Sequence, residues 1–485
     1  MGLNWVAPSR PVWLPWPSAA DADDFLSVPR SIVVSITLSE EIRTMSEPTV
    51  NEQGARWLRG PLRPFQHGQY RLLAGSLTAS VLGEGLWLMA MVWQVIALKG
   101  QAGELSVVAT ASAAGMLATV LLGGVIADRV SQRRVLMITE LTLTVTATAI
   151  AALSLTGVIE LWHLAVVAFV RGVGSGFYYP AYSAMLPSIV PADHLLAANG
   201  VEGVLRPVVM QAAGPAIASF LVSAQGPGAA LAVGAGTQLV AMAFLVFMRP
   251  VPLRRDQSAE EPRHPVKSMA IDLRDGFVYM LRTPWLLATL LFASLMILVI
   301  MGPMEVLIPF AVKDGTGGGP EEHAMVMTAF GISGAVASLF MASRKLPRRY
   351  LTAMNLMWGV ACLPFIFIGV AGNIWLIVGA AFLTGALFSA PMVIWGTLLQ
   401  RRVPPELLGR VSSLDFFVSL VFMPLSMALA GPVSELIGLA PTFIIAGIIP
   451  LPIAILAIVL ARMPADELAH PLDHTDSPEP AQTHP

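Results

Sequence analysis

The sequence is short of charge. Asp, Glu, Lys and Arg make up 12% of its 485 residues, against about 25% in a soluble domain. That is too little polar surface to cover a fold of this size in water. There is one cysteine, Cys362, inside an apolar run; an internal disulfide, a zinc cluster and a redox pair are excluded. No G-x-x-x-x-G-K-[ST] is present, so the chain carries no nucleotide-hydrolysing loop of that kind. Its one compact acidic cluster, Asp21, Asp23 and Asp24, precedes the first long apolar run, and His163 and His323 stand at run edges. Neither arrangement supplies the clustered acids or His/acid pair of an integral-membrane transferase. A net charge of −2 gives no basic excess for nucleic acid. What is abundant is apolar: 55% of residues, with a mean hydropathy of +0.70. Disorder and a secreted disulfide scaffold are excluded, and the class is a polytopic protein of the lipid bilayer.

A bilayer core takes about 20 apolar residues as helix. Twelve such stretches occur, at 72–98, 105–127, 135–159, 161–186, 203–223, 228–248, 285–312, 324–343, 350–371, 374–399, 414–437 and 439–461. In lipid each must satisfy its own backbone, which predicts an all-α protein. With the N-terminus in the cytoplasm, 25 of the 29 Lys and Arg fall on the cytoplasmic side. This bias supports the even count and places both termini in the cytoplasm of a cell membrane. Residues 1–70 read as a partly disordered cytoplasmic leader in which Met45 opens an ordinary polar start, which makes 1–44 a candidate over-extended gene start. The tail 462–485 reads as disordered.

Spans 1–6 occupy 71–248 and spans 7–12 occupy 285–461, with a polar cytoplasmic linker at 249–284. The halves share a repeat. At an offset of 213, Val190, Pro191, Asp193, Leu195 and Glu202 meet Val403, Pro404, Glu406, Leu408 and Asp415. At 215, Arg129, Arg133 and Arg134 meet Arg344, Arg348 and Arg349. Basic loops also resemble one another by chance, but both matches fall at equivalent places. Two six-helix bundles around a central cavity suit alternating access.

At these residues the chain resembles the major facilitator superfamily. Gly124, Asp128, Arg129, Arg133 and Arg134 resemble its loop 2–3 signature, with Ser131 standing where Gly is usual and Gln132 where a basic residue is usual. Arg171 to Gly176 resembles the Arg–Gly motif of proton-coupled members, and Gly214-Pro215 the kinked segment of antiporters. YYPAYSAMLPSIVPADHLLAANG and VPPELLGRVSSL are closest to the enterobactin-exporter-like and macrolide-efflux-like branch of drug:proton antiporters. The resemblance implies twelve helices in two bundles and an Asp128–Arg129 latch against the start of span 11, where a helix N-terminus attracts a carboxylate.

Within the spans Glu84 stands out, because a lone carboxylate costs about 2.5–3.5 kcal/mol at mid-helix and should face a cavity or a partner. Arg171 stays charged and needs an anion. The first and fourth spans of the superfamily both line the cavity, which makes Glu84 and Arg171 a candidate proton-coupling pair. The alternatives are a permanently paired packing carboxylate and an arginine bound to backbone carbonyls. Glu305 is a second proton site, a cation ligand, an outer gate or an interfacial carboxylate. Glu202, Arg206 and Asp415 read as helix-end charges and elements of the interdomain latch; Glu140 and Glu435 read as span-end residues without a role. Trp87, Trp93, Tyr178 and Tyr179 are candidate cavity aromatics, with packing as the alternative. Gly172, Gly174 and Gly176 lack the preceding strand of a dinucleotide turn. The 24 Met suit an adaptable pocket or plain apolar filler.

The expected function is proton-coupled efflux of a small amphipathic, drug-like compound by a monomer using no metal or cofactor. A siderophore or other secondary metabolite is the alternative cargo. Remoter alternatives are a permease subunit of an ATP-driven complex, a non-transporting sensor, or a membrane enzyme.

Overall fold

The computed structural model describes residues 63–472 apart from 192–193, 251–273, 275 and 345. Twelve of the described helices are long and apolar enough to cross a membrane. They are α1 (Gly68–Ala97), α2 (Ala102–Arg129), α3 (Gln132–Leu155), α4 (Leu161–Ile189), α5 (Ala197–Gln225) and α6 (Pro227–Phe247), then α7 (Pro284–Gly315), α8 (Pro320–Ala342), α9 (Tyr350–Gly369), α10 (Ile374–Arg402), α11 (Leu414–Ile437) and α12 (Leu439–Leu460). The spans expected from hydropathy each find one helix. The largest shifts are at the start of α11, whose helix already runs from Pro405 rather than 414, and at that of α5, which starts before the expected residue 203. There the stretch Arg206–Ala213 is wound as π-helix, so Gly214-Pro215 follows a loosened backbone rather than making an isolated kink.

The packing repeats with a six-helix offset. In the first half α1 packs on α5 and α6, α3 on α4 and α6, and α2 on α4. In the second, α7 packs on α11 and α12, α9 on α10 and α12, and α8 on α10. Two single-glycine turns repeat as well: Gly226 between α5 and α6 has φ +86°, and Gly438 between α11 and α12 has φ +91°. Glycine suits both because a Cβ is strained there. Without a hydrophobic drive between helices in lipid, close backbone approach holds them together. A Cβ on Gly172 would lie 2.0 Å from the Ser112 carbonyl oxygen, and one on Gly214 2.7 Å from the Gly85 Cα. Gly302 and Ser426 make the equivalent α7–α11 contact, with Gly302 N–H donating to Ser426 Oγ at 2.8 Å. The halves meet through α2 with α11 and α5 with α8.

Odd-numbered helices start, and even-numbered ones end, on the side that carries most Lys and Arg, here called the basic side. On that side the expected disordered tail is corrected for residues 463–472. Met463–Ala469 forms a docked helix, α13. Glu467 Oε1 accepts from Thr352 N–H at 2.7 Å and from its hydroxyl at 2.6 Å, capping the start of α9. Arg402 pairs with Asp466 and lies over the Trp285 ring at 4.9 Å. Burial works against the guanidinium charge, but the hydrogen bond and charge of Asp466 outweigh it and hold the Arg402 pKa above its ordinary value. These specific contacts order a segment whose composition alone reads as disordered. Residues 473–485 lie outside the described residues, as do 1–62.

Candidate functional site

The Gly83-Glu84-Gly85 step of α1 crosses α5 and α6 closely, which fixes the height of the Glu84 side chain. Gly172 seats α4 against α2 and fixes its neighbour Arg171. The two charges meet: Arg171 Nη2 donates to Glu84 Oε2 at 2.5 Å. Their environments differ, Arg171 being 2% exposed and Glu84 31%. One turn along α1, the Trp87 ring lies under the guanidinium at 4.6 Å, adding a cation–π contact.

Glu84 and Trp87 face a cavity of about 380 Å³ between the two halves, within the range of small-ligand sites. Its wall is mostly apolar and draws on α1, α2, α4, α5 and α7–α11. Seven methionines line it, among them Met91, Met210, Met304 and Met427. Long unbranched thioether side chains reshape around ligands of different outline. Glu305 reaches the same cavity from a π-wound stretch, Pro303–Leu307. It has no hydrogen-bond or ion-pair partner among the described residues.

The ends of the cavity differ. Away from the basic side, Gly431 N–H donates to Ser106 Oγ at 2.7 Å and Gly103 N–H donates to Glu435 Oε1 at 3.2 Å, sealing α2 to α11. On the basic side the contact is thinner. Tyr179 stacks on Phe416 at 6.2 Å, yet these rings remain 48% and 40% exposed.

The structure redistributes the other expected site residues. The side chains of Gly124, Asp128 and Arg129 lie outside the described residues. Arg133 donates to the Leu245 and Val246 carbonyls at 2.9 and 2.8 Å, capping α6 within its own half, and Arg134 is exposed. Glu202 pairs with Arg206 at 2.9 Å, and the Arg206 guanidinium lies 5.3 Å from the Tyr179 ring centre. Asp415 accepts from Trp395 Nε1 at 3.0 Å. Of the four aromatics Trp87 alone lines the cavity, because Tyr178 and Tyr179 lie further along α4 towards the basic side. Tyr178 stacks on Tyr182 and Tyr179 on Phe416, while Trp93 faces His323 at 6.5 Å.

Three residues escaped sequence reasoning. His323, at the start of α8, is buried and lines the cavity. Glu140 is fully buried. Glu435 sits across the halves at the start of α2. Its exposed carboxylate at a helix N-terminus contributes about 0.3–1 kcal/mol, screened by solvent. Glu435→Ala is expected to shift the closed-to-open ratio at that end by less than about fivefold, read as a longer distance between spin labels on the α1–α2 and α11–α12 turns.

Twelve spans in two related bundles, closed at one end around a cavity, define a membrane transporter of the major facilitator type. The chain belongs to the transmembrane secretion effector family of that superfamily, whose model matches residues 59–483. It is 28% identical over 428 residues to the multidrug efflux pump Tap of Mycolicibacterium fortuitum, covering 85% of this chain and 98% of that one. It is 24% identical over 395 residues to macrolide efflux protein A of Streptococcus pyogenes, covering 80% and 94%. The fold is shared with the nucleoside transporter NupG at a TM-score of 0.59 and 14% identity, over 82% of this chain and 98% of that one. It is also shared with a POT family transporter at 0.63 and 12%, over 81% and 95%.

Proposed function

We propose that the protein exports small amphipathic, drug-like compounds across a bacterial cell membrane in exchange for protons, as a monomer with both termini in the cytoplasm. The observation that carries this reading is the Glu84–Arg171 ion pair at the wall of an apolar, methionine-rich cavity between the halves. An intramembrane carboxylate with one buried cationic partner has two discrete arrangements, paired when ionised and released when protonated. A compound in the cavity and a proton on Glu84 then compete to set which way the bundles open. With the basic side in the cytoplasm, the α2–α11 seal lies outside and the conformation is inward-facing. The efflux names of Tap and macrolide efflux protein A support the direction.

The test is reconstitution of the full chain in liposomes carrying a pH-sensitive dye. Adding compounds from a panel of lipophilic drugs, siderophores and nucleosides is expected to drive proton movement with the lipophilic drugs alone. Compound flux with no accompanying proton movement would remove the proton from the mechanism. Proton movement with siderophores alone would replace the cargo.

A further inference from the structure

Glu140 lies on α3, inside the first bundle and away from the cavity wall. It is 0% exposed. Neither carboxyl oxygen has a hydrogen-bond partner of good geometry among the described residues. Its polar neighbours come from the helices around it: Ser80 and Glu84 of α1, and Arg171 and Tyr178 of α4. Behind Ser80 stands Gln238 of α6, whose Nε2 is 3.5 Å from the Ser80 carbonyl oxygen. Three of these neighbours also have buried polar atoms without a partner, namely Arg171 Nε, Tyr178 Oη and Gln238 Oε1.

One guanidinium is therefore bonded to Glu84 and lies within electrostatic reach of Glu140 as well. An ionised carboxylate buried with no donor costs several kcal/mol, so the trio is cheapest when its net charge is zero. Arg171 then balances one ionised acid, and the other holds a proton. In this conformation Arg171 is on Glu84, and Glu140 is the acid left with the proton. Burial alone would permit Glu140 to be a permanently neutral packing residue. The unpaired Arg171 Nε and the two hydroxyl groups beside Glu140 argue for more, since a packing residue needs neither a free donor nor a path for its proton.

We propose that Glu140 is a second protonation site of the transport cycle, exchanging Arg171 with Glu84. A proton arriving on Glu84 from the cavity releases the guanidinium, which turns to Glu140. The Glu140 proton then leaves by way of the Ser80 and Tyr178 hydroxyls towards the basic side. One proton enters, one leaves, and the trio stays neutral. This rests on the proton-coupled reading above, and the test separates the two.

Full-length wild type, Glu140→Gln and Glu140→Asp are reconstituted in liposomes with one lipophilic drug that wild type transports. Two quantities are measured: substrate-driven proton flux, and drug–drug exchange without a pH gradient. Exchange needs binding and reorientation but no proton release. Glu140→Gln is expected to keep exchange and lose proton flux to the level of empty liposomes. Glu140→Asp is expected to keep both, with the pH profile of flux shifted. Wild-type proton flux in Glu140→Gln would overturn the proposal and leave coupling with Glu84. Loss of exchange in both variants would show a packing role and also overturn it. Absence of proton flux in wild type, with drug flux intact, would remove the proton-coupled reading itself and this proposal with it.

Discussion

Replacing Glu84 by glutamine is expected to uncouple transport. Liposomes carrying Glu84→Gln should still bind and exchange drug, while drug-driven proton flux falls to the level of empty liposomes. The amide matches the carboxyl in size and keeps an oxygen that can accept from Arg171 Nη2, now held at 2.5 Å. Trp87 remains under the guanidinium. What is lost is the exchangeable proton and the charge that goes with it. Glu84→Ala is expected to behave differently. It strands a guanidinium that is 2% exposed, and removing one partner of a buried pair costs about 3–5 kcal/mol. A lowered melting temperature in detergent should accompany its loss of flux. Glutamine therefore reads coupling and alanine reads pairing. Undiminished proton flux in Glu84→Gln would take Glu84 out of the mechanism and leave the buried Glu140 and the cavity-lining Glu305 as the acids able to carry a proton.

The pairing of Glu84 with Arg171 was legible in the sequence for the reason that makes it testable. Two opposite charges deep in separate spans have no water to satisfy them, and each demands the other. The span count was legible because length and hydropathy set it, and the repeat because its loop residues recur at nearly one offset. Rotation of each helix about its own axis was not. In lipid both faces of a span are apolar, so no polar stripe says which side looks inward. That is why Tyr178 and Tyr179 were expected in the cavity and lie outside it. It is also why Glu140, read as a span-end residue, turns into the bundle, and why His323 turns to Trp93. The π-wound stretch Arg206–Ala213 was hidden for a related reason, since it alters the winding of a run without altering its hydropathy. The docked α13 depends on partners far away in sequence, Thr352 and Arg402, which composition does not register.

Gly172→Leu is expected to be the most damaging single substitution in the first half. The added Cβ would fall 2.0 Å from the Ser112 carbonyl oxygen and 3.1 Å from the Met116 amide nitrogen. Both are backbone atoms of α2, so no side chain can move aside and the helices must part. Ordinary overpacking costs about 1–3 kcal/mol, and separating two spans along their seam should exceed it. The expected readout is loss of the monodisperse peak on size exclusion and a large drop in melting temperature. Gly236→Leu is the control. It lies on the exposed face of α6 with nothing within 4 Å of its added Cβ, and it should be tolerated. A milder change, Gly172→Ala, separates stability from function. If it folds, α4 is displaced from α2 and carries Arg171 with it, and the Glu84 contact must lengthen. Drug-driven proton flux should then fall more than drug exchange does. Equal losses of both would mean that the glycine serves packing alone. A selective loss of flux would tie the small residues of α4 to the charge pair they position.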